Sequence, residues 1–284
     1  MTTASYELID TQELPWEVDP DVPGFFRRVL YLDTDTDAEA KQWYLPPGWG
    51  SDVHDHFPHR HYHATVTERA FVFSGDLPHW EYDDGPTQTK GEMVLFRRGW
   101  FMDRPPRSIH GIDAAPVSQT GCHLIYWNTG GGCGIRSPLA TAETLDVPFE
   151  GDLEALGDDF TAARVFDTQG VAWENHPTMT GWKRKVLAEA GHGATRDVIL
   201  HLPPDWNSDS LPLKGKPAPH RSWLYVLGGD LTLTVFPDRG KAETVSVHEG
   251  SYLAWEPGTS LGWTERPKSD IGCTILCIGN ELVA

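Results

Sequence analysis

The sequence predicts an all-β protein built as two tandem double-sheet barrels of the jelly-roll kind, joined by a linker with a short helix. Three observations predict it. Short β-rich runs recur between turn residues. The chain contains a long-period copy of itself. Between the copies the strand pattern stops.

The runs come first. Arg69–Ser74 precedes Gly75-Asp76, Met93–Phe96 precedes Arg97, and His123–Trp127 precedes Asn128-Thr129-Gly130. Leu224–Leu227 precedes Gly228-Gly229, Leu231–Phe236 precedes Pro237-Asp238, and Thr274–Ile278 closes the series. Short apolar runs punctuated by turn residues are the signature of sandwiches and barrels. The chain's 28 Gly, 22 Pro and 12 Trp fit many short strands.

The repeat lies at an offset of 157. Residues 10–30 and 167–187 share Asp10/Asp167, Thr11/Thr168, Gln12/Gln169, Trp16/Trp173, Glu17/Glu174, Pro20/Pro177, Gly24/Gly181, Arg27/Arg184, Val29/Val186 and Leu30/Leu187. Leu45-Pro46-Pro47 and Trp49 match Leu202-Pro203-Pro204 and Trp206. After a loss of three residues, Gly75-Asp76-Leu77 matches Gly229-Asp230-Leu231, and Pro105 later matches Pro257. Self-similarity of this length means duplicated structural units. Residues 137–165 lack alternation and carry an acidic, helix-compatible stretch around Leu153–Ala163. The expected domains are therefore 1–136, a linker at 137–165, and 166–284.

Composition narrows the function classes. The chain has 284 residues, 39% hydrophobic and 11% aromatic, which suits a packed globular protein. Its net charge of −18 argues against nucleic-acid or anionic-membrane partners, which need a basic surface. No apolar window is long enough to span a bilayer, and the first residues are not a signal peptide, so a cytoplasmic protein is expected. Cys122, Cys133, Cys273 and Cys277 form no C-x-x-C pair and are expected to be buried reduced thiols.

The chemistry-bearing residues lie at 61–75 and 104–111. His61 and His63 are two apart, so on a strand both imidazoles leave one face. Glu68 follows five residues later, and that odd spacing requires a turn or bulge to bring it back. His110 completes a set of three histidines and one carboxylate, ligands suited to a first-row transition metal. His59-Arg60-His61 is also H-x-H, but in that register Glu68 is too distant. His59 is expected near the metal or in a lid. His54 and His56 are expected in a loop ending at Pro58, exposed, in contact with substrate or forming a weak accessory metal site.

This spacing resembles the first cupin motif, G-x5-H-x-H-x3,4-E-x6-G, complete from His61 to Gly75 but with Asp55 at the leading Gly. Gly99, Pro105 and His110 resemble the second motif, G-x5-P-x-G-x2-H-x3-N, with Arg107 at its inner Gly and Ala114 at its Asn. The segment W-x3-P-x3-G, at Trp16 and again at Trp173, resembles the cupins of ChrR-type anti-sigma factors. Their relatives include iron-dependent dioxygenases that cleave hydroxy-ketone aromatic compounds. The resemblance covers roughly residues 10–130 and 167–280 and implies two cupin barrels.

The second copy lacks the set. Aligned on G-D-L, His61-Tyr62-His63 falls on Gly215-Lys216-Pro217 and Glu68 on Ser222; aligned on proline, His110 falls on Gly262. His220 alone will not hold a metal. The second barrel is expected to be support, a dimer face or a lid, or to hold a separate metal-free pocket. Loss of all ligands together fits a site that works as one unit.

Three histidines and one glutamate leave two positions of an octahedral ion open. Fe(II) is favoured, because open cis sites admit a bidentate substrate and dioxygen; Mn, Ni, Zn or Cu fit the same ligands. Arg107 is expected near the metal mouth, where it could bind a substrate carboxylate or phenolate, and Arg97 and Arg98 are weaker candidates for that role. Phe71 and Phe73 share one strand face, and His123, Ile125 and Trp127 share another. Trp80, Tyr82 and Tyr126 are further aromatic candidates for the pocket wall. The leading reading is a non-haem iron dioxygenase of a small aromatic or keto compound, with a homodimer as the expected assembly. The alternatives are an oxygen-independent lyase, decarboxylase or isomerase, and a non-catalytic sensor. The sensor is disfavoured because no helical sigma-binding segment precedes residue 10.

Overall fold

The structure is a computed structural model and describes residues 6–20, 24–49, 62–63, 65–82, 92–111, 117–129, 159–188, 196–206, 213–238, 240–264 and 269–279. The first repeat contributes β1 (Tyr6–Asp10), β2 (Glu17–Val18), β3 (Phe26–Leu32), β4 (Glu39–Leu45), β5 (Glu68–Tyr82), β6 (Glu92–Arg97), β7 (Trp100–Arg104), β8 (Ile109–Gly111) and β9 (Cys122–Asn128). The second contributes β10 (Arg164–Asp167), β11 (Glu174–Asn175), β12 (Lys183–Ala188), β13 (Asp197–Leu202), β14 (Leu213–Lys214), β15 (Ser222–Phe236), β16 (Glu243–His248), β17 (Ser251–Trp255), β18 (Ser260–Trp263) and β19 (Cys273–Ile278). Among the described residues the only helical piece is a 3-10 turn at Thr168–Gly170. The helix expected over 153–163 falls mainly outside the described residues, and 159–163 belong to no regular element.

Each repeat builds one barrel, and the two barrels share a strand order. One reads β10-β7-β5-β9-β4-β3-β2, with β6 and β8 added to β5; the other reads β1-β17-β15-β19-β13-β12-β11, with β16 and β18 added to β15 and β14 to β18. The pairing is antiparallel throughout. The edge strands are exchanged: β1 lies against β17, and β10 against β7. The packing units are accordingly Pro15–Gln169, and Met1–Leu14 with Gly170–Ala284. Repeats and packing units are thus offset by one strand.

The Asp-Thr-Gln triplet that heads each repeat explains how the exchanged strand is held. Thr168 Oγ1 donates to the Gly99 carbonyl at 2.6 Å, and Gln169 Nε2 to the Arg98 carbonyl at 3.2 Å. Thr11 Oγ1 donates to Gly250 O at 2.7 Å and Gln12 Nε2 to Glu249 O at 3.1 Å. Asp10 and Asp167 cap the turn by accepting from the Gln12 and Gln169 amides. Three of the ten repeat identities are therefore one latch, used twice.

A single long strand carries each barrel from one sheet to the other. β5 pairs with β7 and β9 over its first half and with β6 and β8 over its second. The change falls at a bulge between Val72 and Ser74, next to Gly75. Gly75 has φ 83°, and a Cβ there would lie 1.9 Å from the Gly121 carbonyl oxygen. Only glycine fits such an approach. Gly229 in β15 repeats the arrangement against Gly272, at 1.8 Å. The last glycine of the first motif is thus a crossing point of the fold.

The strand faces left open by the sequence are now assigned. Ala70, Val72, Leu124 and Tyr126 belong to the first core cluster, with Trp80 and Tyr82. Phe73 packs on Phe71 and on His123, on the opposite face from Val72. Cys122, Cys273 and Cys277 are buried free thiols, and burial pushes Cys122 and Cys273 up to about 12. Cys133 lies outside the described residues. Among the described residues no helix is long and apolar enough to cross a membrane.

Candidate metal centre

Glu68 is the first residue of β5, and a bend at Thr65 separates it from His63. The irregular segment supplies the turn that the five-residue spacing demands. His63 is fixed by its backbone: its carbonyl accepts the Arg107 amide at 2.7 Å. His110 stands on β8, directly opposite Glu81 of β5. These elements bring His63, Glu68 and His110 together, with one donor atom from each lying within 4.8 Å of the others, and all three residues are buried. His63 Nε2 lies 3.6 Å from Glu68 Oε1, and His110 Nε2 lies 3.1 Å from Glu68 Oε2. His61, the fourth expected ligand, lies outside the described residues, as do His54, His56 and His59.

The electrostatics favour a cation. Burial alone would raise the Glu68 pKa, but His63, His110 and Arg104 outweigh it and hold the carboxyl well below its usual range. Burial pushes His110 down to about 4, and Arg104 adds to the effect. His110 is therefore neutral near pH 7 and carries one N–H. Its Nδ1 faces the Ser108 carbonyl at 3.1 Å while its Nε2 faces the Glu68 carboxylate. One proton cannot serve both acceptors. A cation held by Nε2 and Glu68 would resolve the conflict: Nδ1–H would donate to the Ser108 carbonyl, and the Nε2 lone pair would meet positive charge. The residues present thus fit a divalent transition metal held by imidazole and carboxylate. Tyr126 sets the carboxylate's orientation, its hydroxyl donating to Glu68 Oε1 at 2.8 Å.

Beside these three residues lies a cluster that the motifs do not contain. Arg104 of β7 pairs across the sheet with Glu68. Its Nε donates to Glu81 Oε2 at 3.3 Å, and its Nη2 donates to Glu81 Oε1 and to His79 Nδ1, the latter at 3.0 Å. Its Nη1 lies 3.9 Å from Glu68 Oε2. The His79 ring centroid is 5.9 Å from that of His110. Burial opposes ionisation of Glu81, but Arg104 outweighs it and brings the carboxyl down to about 2. Burial, then Arg104, lowers His79.

The second barrel shows which of these residues the fold needs. Strand register equates Glu68↔Arg104 with Ser222↔Trp255, Glu81↔His110 with Val235↔Leu261, and Ala70↔Tyr126 with Leu224↔Cys277. The position of His110 is therefore taken by Leu261, one residue before the Gly262 that alignment on proline suggests. His79 corresponds to Leu233. The carbonyl that accepts the Arg107 amide belongs to His63; its counterpart, accepting the Gly258 amide, belongs to Ala218. Ser222 apart, each of these replacements sits in an apolar core with Trp263 and Val247. Replacing a buried ion pair by packed apolar residues is often neutral, or stabilising by about 1–4 kcal/mol. The same fold thus stands without the polar cluster.

Arg107 lies in the turn between β7 and β8 with φ 70°, the left-handed conformation for which the motif keeps a glycine. Its counterpart is Gly258, with φ 87°. Its guanidinium is half exposed and pairs with Asp159. Arg97 and Arg98 are exposed at the turn between β6 and β7. The sequence pattern missed His79, Glu81 and Arg104. A signal was present: two polar residues two apart on a strand face whose copy reads Leu233 and Val235.

No protein-family model matches the chain, and no curated protein matches its sequence. Solved structures do match its shape. The E. coli protein Ylba superposes over 99% of this chain and 93% of its own, with 10% identity and a TM-score of 0.61. A variant of Bacillus subtilis oxalate decarboxylase matches over 100% of this chain and 80% of its own, with 15% identity and a TM-score of 0.61. Both barrels have the cupin fold. A Lactobacillus farciminis oxalate decarboxylase in complex with formate matches over 100% and 89%, with 12% identity and a TM-score of 0.62. At these identities the likeness shows the fold, and the metal-capable set stands on the geometry above.

Proposed function

We propose that this cupin is a cytoplasmic metal-dependent enzyme with one mononuclear centre, held in the first barrel by His61, His63, Glu68 and His110. The convergence of two buried imidazole nitrogens on one buried, ionised carboxylate carries the reading. With Fe(II) the reaction is a dioxygenation of a small aromatic or keto compound. When bound, the metal would supply Lewis acidity and, as iron, the capacity to react with dioxygen. The chain's own residues orient and enclose. Tyr126 aims Glu68, Arg104 helps to keep it ionised, and Ala70, Val72, Met102 and Leu124 belong to the buried apolar cluster that includes Tyr126. Arg107 and His59 are assigned to the substrate. A residue kept in a left-handed conformation where its duplicate has glycine is a mark of function rather than of folding. The second barrel supports the first and holds no metal.

A second reading is favoured by the oxalate decarboxylase likeness, one of whose structures is described by its Mn(II) centres. In that reading the metal is manganese and a carboxylate substrate loses carbon dioxide. One experiment separates the two. The protein is loaded anaerobically with Fe(II) or Mn(II) and screened with catechols, hydroxyketones, diketones and small dicarboxylates. Oxygen uptake with Fe(II) supports the dioxygenase. Carbon dioxide release without oxygen uptake supports the decarboxylase. Metal binding with neither product leaves a sensor and overturns both.

A further inference from the structure

Arg104 is 6% exposed, and its recorded hydrogen bonds leave from Nε and Nη2 alone. Among the described residues Nη1 donates no hydrogen bond, and it lies 3.9 Å from Glu68 Oε2, the carboxylate oxygen that faces His110 Nε2. A guanidinium nitrogen beside the carboxylate with no hydrogen bond of its own can donate to an incoming acceptor. The clamp explains the aim. Glu81 takes two of the donors and His79 accepts from one, so the guanidinium is turned with its remaining edge toward the metal ligands.

Charge points the same way. Among the described residues of the cluster, Glu68 and Glu81 are anionic and Arg104 is cationic, which leaves one negative charge. A divalent ion turns this into one positive charge, which a single anionic oxygen would cancel. In the second barrel the positions of Arg104, Glu81 and His79 are Trp255, Val235 and Leu233, and they are lost together with the ligands. The cluster therefore goes with the metal and not with the barrel.

We infer that Arg104, held by Glu81 and His79, makes the loaded pocket select a monoanionic oxygen ligand, a carboxylate, enolate or phenolate that binds the metal and accepts from Nη1. The inference rests on the metal reading proposed above. It assigns a substrate class that both of the reactions considered there can use.

The test is anion binding to the Co(II)-loaded protein, followed by the visible d–d spectrum at fixed ionic strength, with acetate as the anion and acetamide as its neutral isostere. Wild type is expected to prefer acetate. Arg104→Gln removes the donor and one positive charge, and it should weaken acetate by about tenfold or more while leaving acetamide unchanged. Glu81→Gln loosens the clamp that aims Nη1, and it should weaken acetate as well, by less than Arg104→Gln. A purely structural clamp predicts something else: both variants lose Co(II) and acetate alike. That outcome overturns the inference, as does wild-type acetate affinity in Arg104→Gln. If Arg104→Gln does not fold, Glu81→Gln decides alone, and unchanged acetate affinity with Co(II) retained overturns it. Failure of the wild-type protein to take up Co(II) sinks the metal reading as well; uptake with the wrong order of affinities sinks this inference alone.

Discussion

Tyr126→Phe removes one oxygen atom and tests whether Glu68 is built to hold a metal. The ring is anchored independently of its hydroxyl. It stacks on Trp43 with centroids 4.5 Å apart and lies under Lys41 Nζ at 5.3 Å. Asn128 Nδ2, which reaches the hydroxyl at 3.5 Å, also donates to Glu39 Oε1 at 3.4 Å, so its loss is small. The bond removed is the 2.8 Å donation to a buried, ionised carboxylate. Hydrogen bonds to charged groups contribute about 1.5–3 kcal/mol, and partners of metal ligands typically alter affinity by about 10- to 100-fold. Tyr126→Phe is therefore expected to weaken Mn(II) or Fe(II) binding by about that factor, measured by competition with a chromogenic chelator. The thermal midpoint of the metal-free protein should fall by a few degrees, because the same bond is lost there. An unchanged metal affinity in a folded variant would refute the assignment of Glu68 as a ligand oriented by Tyr126.

Two further outcomes follow from the same geometry. His110 has a folded pKa of about 4 against about 6.5 for an unperturbed histidine, so the unfolded chain binds more protons between these values. Stability of the metal-free protein should fall as pH drops from 6.5 toward 4, by about 3 kcal/mol from this group; urea unfolding at pH 7 and pH 4.5 measures it, and a flat profile rejects the buried neutral imidazole. Arg107→Gly relaxes a left-handed residue and gives up an exposed ion pair, so stability should stay within about 1 kcal/mol or rise. The KM for the substrate found in the screen should rise while metal content holds; a large loss of stability with unchanged KM would make Arg107 structural.

Much of this architecture was legible in the sequence, for physical reasons. A duplicated chain must place its copies on equivalent scaffolds, so the repeat located two barrels before any strand was known. The convergence of His63, Glu68 and His110 was legible because the spacing of a metal-binding motif brings donor side chains to one point. The strand exchange was not, since an edge strand that adds to one barrel or the other has the same local sequence. Asp10-Thr11-Gln12 was seen as a repeat identity, but its partners at Glu249 and Gly250 are remote in the chain. Arg104, Glu81 and His79 were missed because a buried salt bridge depends on cross-strand register, which the bulge at Val72–Ser74 shifts. One alignment needed the same information: only the pairing of Val235 with Leu261 places Leu261, rather than Gly262, at the position of His110.

The central claim is a single metal ion in the first barrel. Its most direct test is metal content per chain after reconstitution with Mn(II) or Fe(II) and removal of free ion, measured by mass spectrometry of the elements. Wild type and the exposed-histidine control His220→Ala should each carry one ion. His61→Ala and His110→Ala should carry almost none. Retention of metal by both of those variants, or two ions per chain in the wild type, would contradict the account.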